Sequence, residues 1–220
     1  MFVTQNGGTK TYFIFEALPN TRTIFLSVDH AEDQPLDPSD KRLTKCKHIV
    51  AEIKSTEENF VGQLRSLLAL DKSQDEFLVM CQEKEPAFTK IFQMVHHVEQ
   101  LNSRLLDSLK KMKKVHEEVG VIFYKVAPFL KIYVEYIKVF DTCNLFLSGM
   151  LNVPQDLKLK KQQLESLLIT PVQRIPRYRL LLQELYSCTT MQHGREMIQA
   201  ALDKVTVSAD HVNAMLRQVR

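Results

Sequence analysis

The sequence predicts an all-α fold carrying a short β-hairpin or extended segment at its N-terminus, and three observations lead there. From about residue 43 onward, apolar residues recur at spacings of three and four. Glycine is scarce, six in 220 residues, against 45% apolar and 25% charged residues, a balance that suits helices with one buried stripe. Strand-forming runs are confined to the first forty residues.

In that early segment TYFIF at 11–15 and TIFLS at 23–27 are β-prone, with Pro19 and Asn20 between them, and they predict a hairpin. Residues 29–40 hold Pro35, Pro38 and a run of acidic side chains, the composition of a linker. The expected division is therefore a segment and acidic linker over 1–42 and a helical domain over 43–220. A chain of this length buries a core large enough to fold without staples.

The helical period opens with Ile49, Ile53, Thr56, Phe60, Leu64 and Leu67, one stripe on one helix. Pro86 suits the first turn of a second helix. Its stripe runs from Phe88 through Ile91, Phe92, Val95, Val98, Leu101, Leu105 and Leu109 to Met112, about seven turns. A third apolar region spans 119–146 and is divided or kinked at Pro128, which lacks a backbone donor. Gly149 and Pro154 mark a loop, after which the pattern resumes through Leu164, Leu167 and Leu168. The residues TPVQ at 170–173 have the form of a capping box with proline at the first helical position, so a helix restart is expected at Pro171. Finally Ile198, Leu202, Val205, Ala209, Val212, Leu216 and Val219 make a 3.5-residue seam that needs a facing groove.

Function classes fall away on composition. A formal charge of +3 does not name nucleic acid as a partner, and the cluster Lys110, Lys111, Lys113 and Lys114 reads first as a solvated helix end, with contact to an anionic membrane as the rival. Cys46, Cys81, Cys143 and Cys188 lie far apart with no paired spacing, so four reduced, mostly buried thiols are expected rather than a disulfide or a zinc site. The N-terminus lacks an apolar signal core, and Lys125, Lys131 and Lys138 interrupt the most apolar stretch. The expectation is a soluble cytoplasmic protein. No phosphate-cradling glycine loop and no G-x-S-x-G or H-E-x-x-H string occurs. His96 and His97, adjacent on a helix, point about 100° apart and do not share a metal, one reading as core-flanking and the other as exposed. His211 beside Asp210 is equally bland.

One string is a poor design for a purely structural helix: TPVQRIPRYRLLLQEL at 170–185. Pro176 removes an internal hydrogen bond, at a cost of about 3 kcal/mol in a regular helix, while Gln173, Arg174, Arg177 and Arg179 crowd beside the apolar stripe. The string resembles the third conserved region of Dbl-homology domains, the modules of Rho guanine-nucleotide exchange factors. The run AEIKSTEENFVGQL at 51–64 is similar to that family's first region, E-x-x-x-T-E-x-x-Y/F-V, and it lies in the right order. Looser similarity links Ile91, Phe92, Leu101, Asn102, Leu105, Leu106 and the run APFLKIY at 127–133 to the family, so the match covers about 43–220.

The resemblance implies an elongated bundle of about six helices, with the first region, the third region and the last helix side by side as a GTPase-binding face. It implies exchange of guanine nucleotide on a Rho-family small GTPase, without covalent chemistry and without a cofactor or metal of its own. Glu52 matches the glutamate that engages switch I, Arg177 stands at the basic position that reaches toward switch II, and Asn213 matches a third contact. Gln173 and Arg174 are further candidates whose side chains could equally cap or buttress the helix, while Thr56 and Tyr178 look like packing residues. The family usually continues into a pleckstrin-homology domain, whereas this chain stops at Arg220 within its last helix, a departure from the family pattern that leaves phosphoinositide binding outside what the resemblance implies; peripheral membrane association through a neighbouring domain is a further expectation. The rival reading is a non-catalytic bundle that binds a GTPase or serves as a membrane-associated scaffold.

Overall fold

The computed structural model describes residues 11–12, 27–28, 41–113, 117–151 and 153–218, and the chain divides into two units, Met1–Asp40 and Lys41–Arg220. In the first unit, β1 (Thr11–Tyr12) and β2 (Ser27–Val28) pair antiparallel, Thr11 opposite Val28. The rest of the two expected strands lies outside the described residues.

The second unit is helical. α1 (Lys41–Lys72) buries the expected stripe of Ile49, Ile53, Phe60, Leu64 and Leu67, with Thr56 half-buried. A short α2 (Glu76–Lys84), not anticipated from the sequence, follows a turn at Gln74. Its N-cap is Asp75, whose carboxylate accepts from the backbone N–H groups of Phe77 (3.0 Å) and Leu78 (3.3 Å). Pro86 stands at the N-cap of α3 (Ala87–Lys110), which runs the expected length and buries Phe88, Ile91, Phe92, Val95, Val98, Leu105 and Leu109.

The third apolar region is interrupted as Pro128 demands. α4 (Glu117–Val126) tightens into a 3-10 segment (Ala127–Lys131) that leads into α5 (Ile132–Gly149), with Val126 and Ile132 both in right-handed helical conformation. α6 (Gln155–Leu168) passes into α7 (Thr170–Cys188) through Ile169, also right-handed helical. The capping box expected at Thr170 is therefore absent. No end of helix is left there to cap, and the Thr170 hydroxyl donates to the Leu167 carbonyl instead (2.8 Å). Pro176 sits inside α7, which continues through it. α8 (Gln192–Gln218) buries Ile198, Leu202, Val205, Ala209 and Val212; the side chain of Leu216 and all of Val219 lie outside the described residues.

α1 packs between α3 and α7, α3 reaches α5, and α7 and α4 both pack on α8. At Gly120 the α4–α8 approach is so close that a Cβ would lie 2.7 Å from the backbone of Met197 and Ile198. Tyr133, Tyr136, Tyr178, Phe88 and Phe123 are fully buried in one contiguous core. Each such side chain contributes about 1.5–3 kcal/mol on burial.

The cysteines depart from expectation. Cys46 at the start of α1 and Cys188 at the end of α7 form a disulfide, their Cα atoms 5.7 Å apart. They are 142 residues apart in sequence, and only the packing of α1 on α7 brings them together. Cys81 and Cys143 are buried free thiols, pushed by desolvation up to about 11 and about 12 respectively.

Candidate functional site

α1 and α7 carry the two distinctive motifs, and they run antiparallel: Cys46 meets Cys188, Glu52 meets Arg177 and Glu57 meets Arg174. Along this seam Cys46–Cys188 and Glu57–Arg174 are buried and Glu52–Arg177 is exposed, because Glu52 and Glu57, five residues apart on α1, point about 140° apart around the helix.

The exposed pair is Glu52 and Arg177. Arg177 Nη2 donates to Glu52 Oε1 at 3.3 Å, with the two side chains 52% and 48% exposed respectively. Two of the candidate contact residues are thus neighbours on one surface, and at that exposure their pairing is worth about 0–1 kcal/mol, so exchange for another partner is cheap. Gln173, one turn before Arg177, is exposed on the same face of α7. Asp210 of α8 accepts from Arg179 Nη1 (3.4 Å), bringing α8 to the edge of this surface. Asn213 lies in α8 one turn beyond Asp210, and its side chain is outside the described residues.

Arg174 points the other way. It is 4% exposed, and its Nε and Nη2 donate to Glu57 Oε2 at 3.2 and 2.5 Å. Its guanidinium lies 4.5 Å from the ring centre of Tyr178 and 5.3 Å from that of Phe60, and Nη2 also donates to Thr56 Oγ1 (3.4 Å). Of the two alternatives left open for this residue, its geometry is that of a buttress.

Glu57 is the buried acid at the centre of a polar network. The Tyr178 hydroxyl lies 2.7 Å from Glu57 Oε2 and 2.8 Å from Asn102 Oδ1, and its single proton serves one acceptor at a time. Asn102 Nδ2 donates onward to Tyr133 Oη and to the Val98 carbonyl, both at 2.7 Å. Among the described residues Glu57 Oε1 has no hydrogen-bond partner. Burial pushes the Glu57 carboxyl above its ordinary range, opposed by the charge of Arg174 and by the hydrogen bonds from Tyr178 and Arg174. The network ties α1, α3, α5 and α7 together, and its Glu57 and Arg174 stand on the same two helices as Glu52 and Arg177.

Sequence reasoning passed over Glu57 and Asn102. A glutamate in a motif with a second glutamate beside it reads as solvated; the available signal was its spacing, four residues after Ile53 and three before Phe60, which places it on the buried stripe. His96 and His97 are both exposed, which corrects the expectation that one flanks the core. The lysine cluster is partly committed: Lys110 pairs with Glu58 of α1, Lys111 and Lys113 are exposed, and Lys114 lies outside the described residues.

A helical bundle in which the helices carrying the two motifs pack side by side, with the last helix against the second of them, is the arrangement that the resemblance to Dbl-homology domains implies. The chain belongs to the RhoGEF domain family, which matches residues 49–213. It is 31% identical over 208 residues to Rac guanine nucleotide exchange factor JJ of Dictyostelium discoideum, covering 83% of this chain and 17% of that protein. It is 30% identical over 211 residues to FYVE, RhoGEF and PH domain-containing protein 3 of Mus musculus, covering 82% and 27%. Among solved structures, autoinhibited Vav1 shares the fold with a TM-score of 0.67 at 23% identity, covering 82% of this chain and 35% of that one. An autoinhibited Dbl homology domain solved by NMR gives 0.62 at 25% identity, covering 81% and 90%. The chain spans only 11–29% of the length of the curated relatives it matches.

Proposed function

We propose that this chain catalyses guanine-nucleotide exchange on a Rho-family small GTPase, with Glu52 and Arg177 trading their mutual ion pair for contacts to switch I and switch II. The observation that carries this reading is the position of that pair: exposed, weakly bound, and held over a rigid buried network at the junction of the two motif helices. Gln173 and the α8 surface toward Asn213 extend the same face, while Arg174 acts from beneath by fixing α7 on α1.

The chemistry requires no covalent step. A catalyst that binds the nucleotide-free GTPase more tightly than the loaded form weakens nucleotide affinity by the same factor. A thousandfold acceleration of release asks for about 4 kcal/mol of barrier lowering, supplied by disrupting magnesium and phosphate contacts within the GTPase. Direction comes from the cell's excess of GTP, and the chain needs no cofactor of its own. Among the described residues no helix is long and apolar enough to cross a membrane.

The test is release of labelled GDP from a panel of purified Rho, Rac and related GTPases, with Ras and Arf types as controls. Acceleration confined to one or more Rho-family members is expected, with tightest binding to the nucleotide-free form. No acceleration across the panel by a folded chain, or preferential capture of the GTP-loaded form, refutes the proposal; the latter result marks an effector.

A further inference from the structure

A groove of about 550 Å³ lies between α3 and the chain entering α5, lined by residues that the exchange reading does not use. Its walls are apolar, with Met94 and Leu101 on the α3 side and Phe129 and Ile132 opposite. Phe129 is 61% exposed, a large aromatic side chain kept at the surface by the 3-10 segment that Pro128 begins. The rim is cationic. His97 and Arg104 border one side and Lys131 the other, and among the described residues neither Arg104 nor Lys131 has a carboxylate partner. The one acid at the rim, Glu135, is already bound by Lys138 at 2.8 Å.

The α3 wall extends beyond the groove in a regular register. Lys90, Met94, His97, Leu101 and Arg104 follow at alternating spacings of four and three, and Lys111 continues it seven residues on. Met94 and Leu101, one heptad apart and half-buried, are thus the apolar positions of this face, flanked by Lys90 and Arg104, and the open groove lies along them. A facing helix fits such a face, its apolar side chains entering between Met94, Leu101 and Phe129. Acidic flanks suit it, since Arg104 and Lys131 are unpaired among the described residues while the charge of Glu135 is matched by Lys138. A flat bilayer would meet the rim and leave the concave floor uncovered.

We infer that the α3–α5 groove is a docking site for an acidic amphipathic helix of a partner protein, anchored on Phe129 and held by Arg104 and Lys131. The groove shares no residue with the Glu52–Arg177 face, so its peptide-binding test is separate from the nucleotide-release test of the exchange proposal.

The probe is a fluorescein-labelled peptide of about three heptads with leucine on one seam and glutamate on its flanks, and its lysine-flanked counterpart. Fluorescence anisotropy with the full chain is expected to show binding of the glutamate peptide that weakens with salt. Affinity should fall by about tenfold or more in the Arg104→Glu/Lys131→Glu double variant and, separately, in Phe129→Ser. Lys158→Glu, exposed on α6, should bind as the wild type does. All the altered side chains are exposed, and unchanged melting temperatures establish that each variant is folded. Equal affinity for the lysine peptide, unchanged binding by both groove variants, or no peptide binding alongside charge-dependent binding to phosphatidylserine vesicles overturns the inference; the last result reassigns the rim to a lipid surface.

Discussion

Replacing Arg174 with methionine isolates the buried network from the exposed pair above it. In the folded chain Glu57 is fully buried and draws on Arg174 for two of the three hydrogen bonds to Oε2, while Oε1 has none among the described residues. Arg174→Met keeps most of the packing against Phe60 and Tyr178 but strands a carboxylate with only the shared proton of Tyr178. Removing one partner of a buried ion pair costs about 3–5 kcal/mol. In a unit of this size that lowers the melting temperature by roughly 6–20 °C. Glu57→Gln in the same chain removes the uncompensated charge, so the double variant should recover at least about 2 kcal/mol of the loss. The pH dependence has a definite sign. Burial already holds the folded-state Glu57 above its ordinary value, and loss of the guanidinium removes the charge that opposes this. Stability gained by protonating Glu57 is complete below the ordinary glutamate range, about 4.3, and is lost as pH rises through the higher folded value. The deficit of Arg174→Met should therefore be largest at alkaline pH and shrink as pH falls. Urea denaturation of the wild type, both single variants and the double variant at several pH values measures all four quantities. A single variant within about 1 kcal/mol of the wild type, or a double variant no better than the worse single one, refutes the reasoning that Glu57 depends on Arg174.

Glu52→Ala should slow GDP release by about 10- to 150-fold through the loss of about 1.5–3 kcal/mol of charge-assisted bonding in the exchange transition state, with little change in melting temperature because its intramolecular partner is an exposed ion pair. Ile53→Ala, one residue away and fully buried, should instead destabilise the fold by about 2–5 kcal/mol, read by thermal melting beside the release assay. Reducing the Cys46–Cys188 disulfide reopens a loop spanning 142 residues of separation and should cost about 2–5 kcal/mol, seen as a lower denaturation midpoint with reductant and absent in Cys46→Ser. Gly120→Ala places a methyl group 2.7 Å from the α8 backbone and should destabilise by about 1–3 kcal/mol, measured by urea denaturation.

Local periodicity determined much of this protein in advance. The stripes of α1, α3 and α8 are legible because helix burial is a property of residues three and four apart, and Pro128 marked the break between α4 and α5 because a missing backbone donor acts where it stands. The motifs likewise placed Glu52 and Arg177 on their helices. Tertiary packing decided what those stretches do to one another across more than a hundred residues. It set Glu52 against Arg177, turned Arg174 inward to Glu57, and drew Cys46 to Cys188, none of which leaves a trace in spacing along the chain. Glu57 shows why: a carboxylate is costly to bury unless a cation and hydrogen-bond donors meet it there, and those partners lie on helices that only the folded chain brings together.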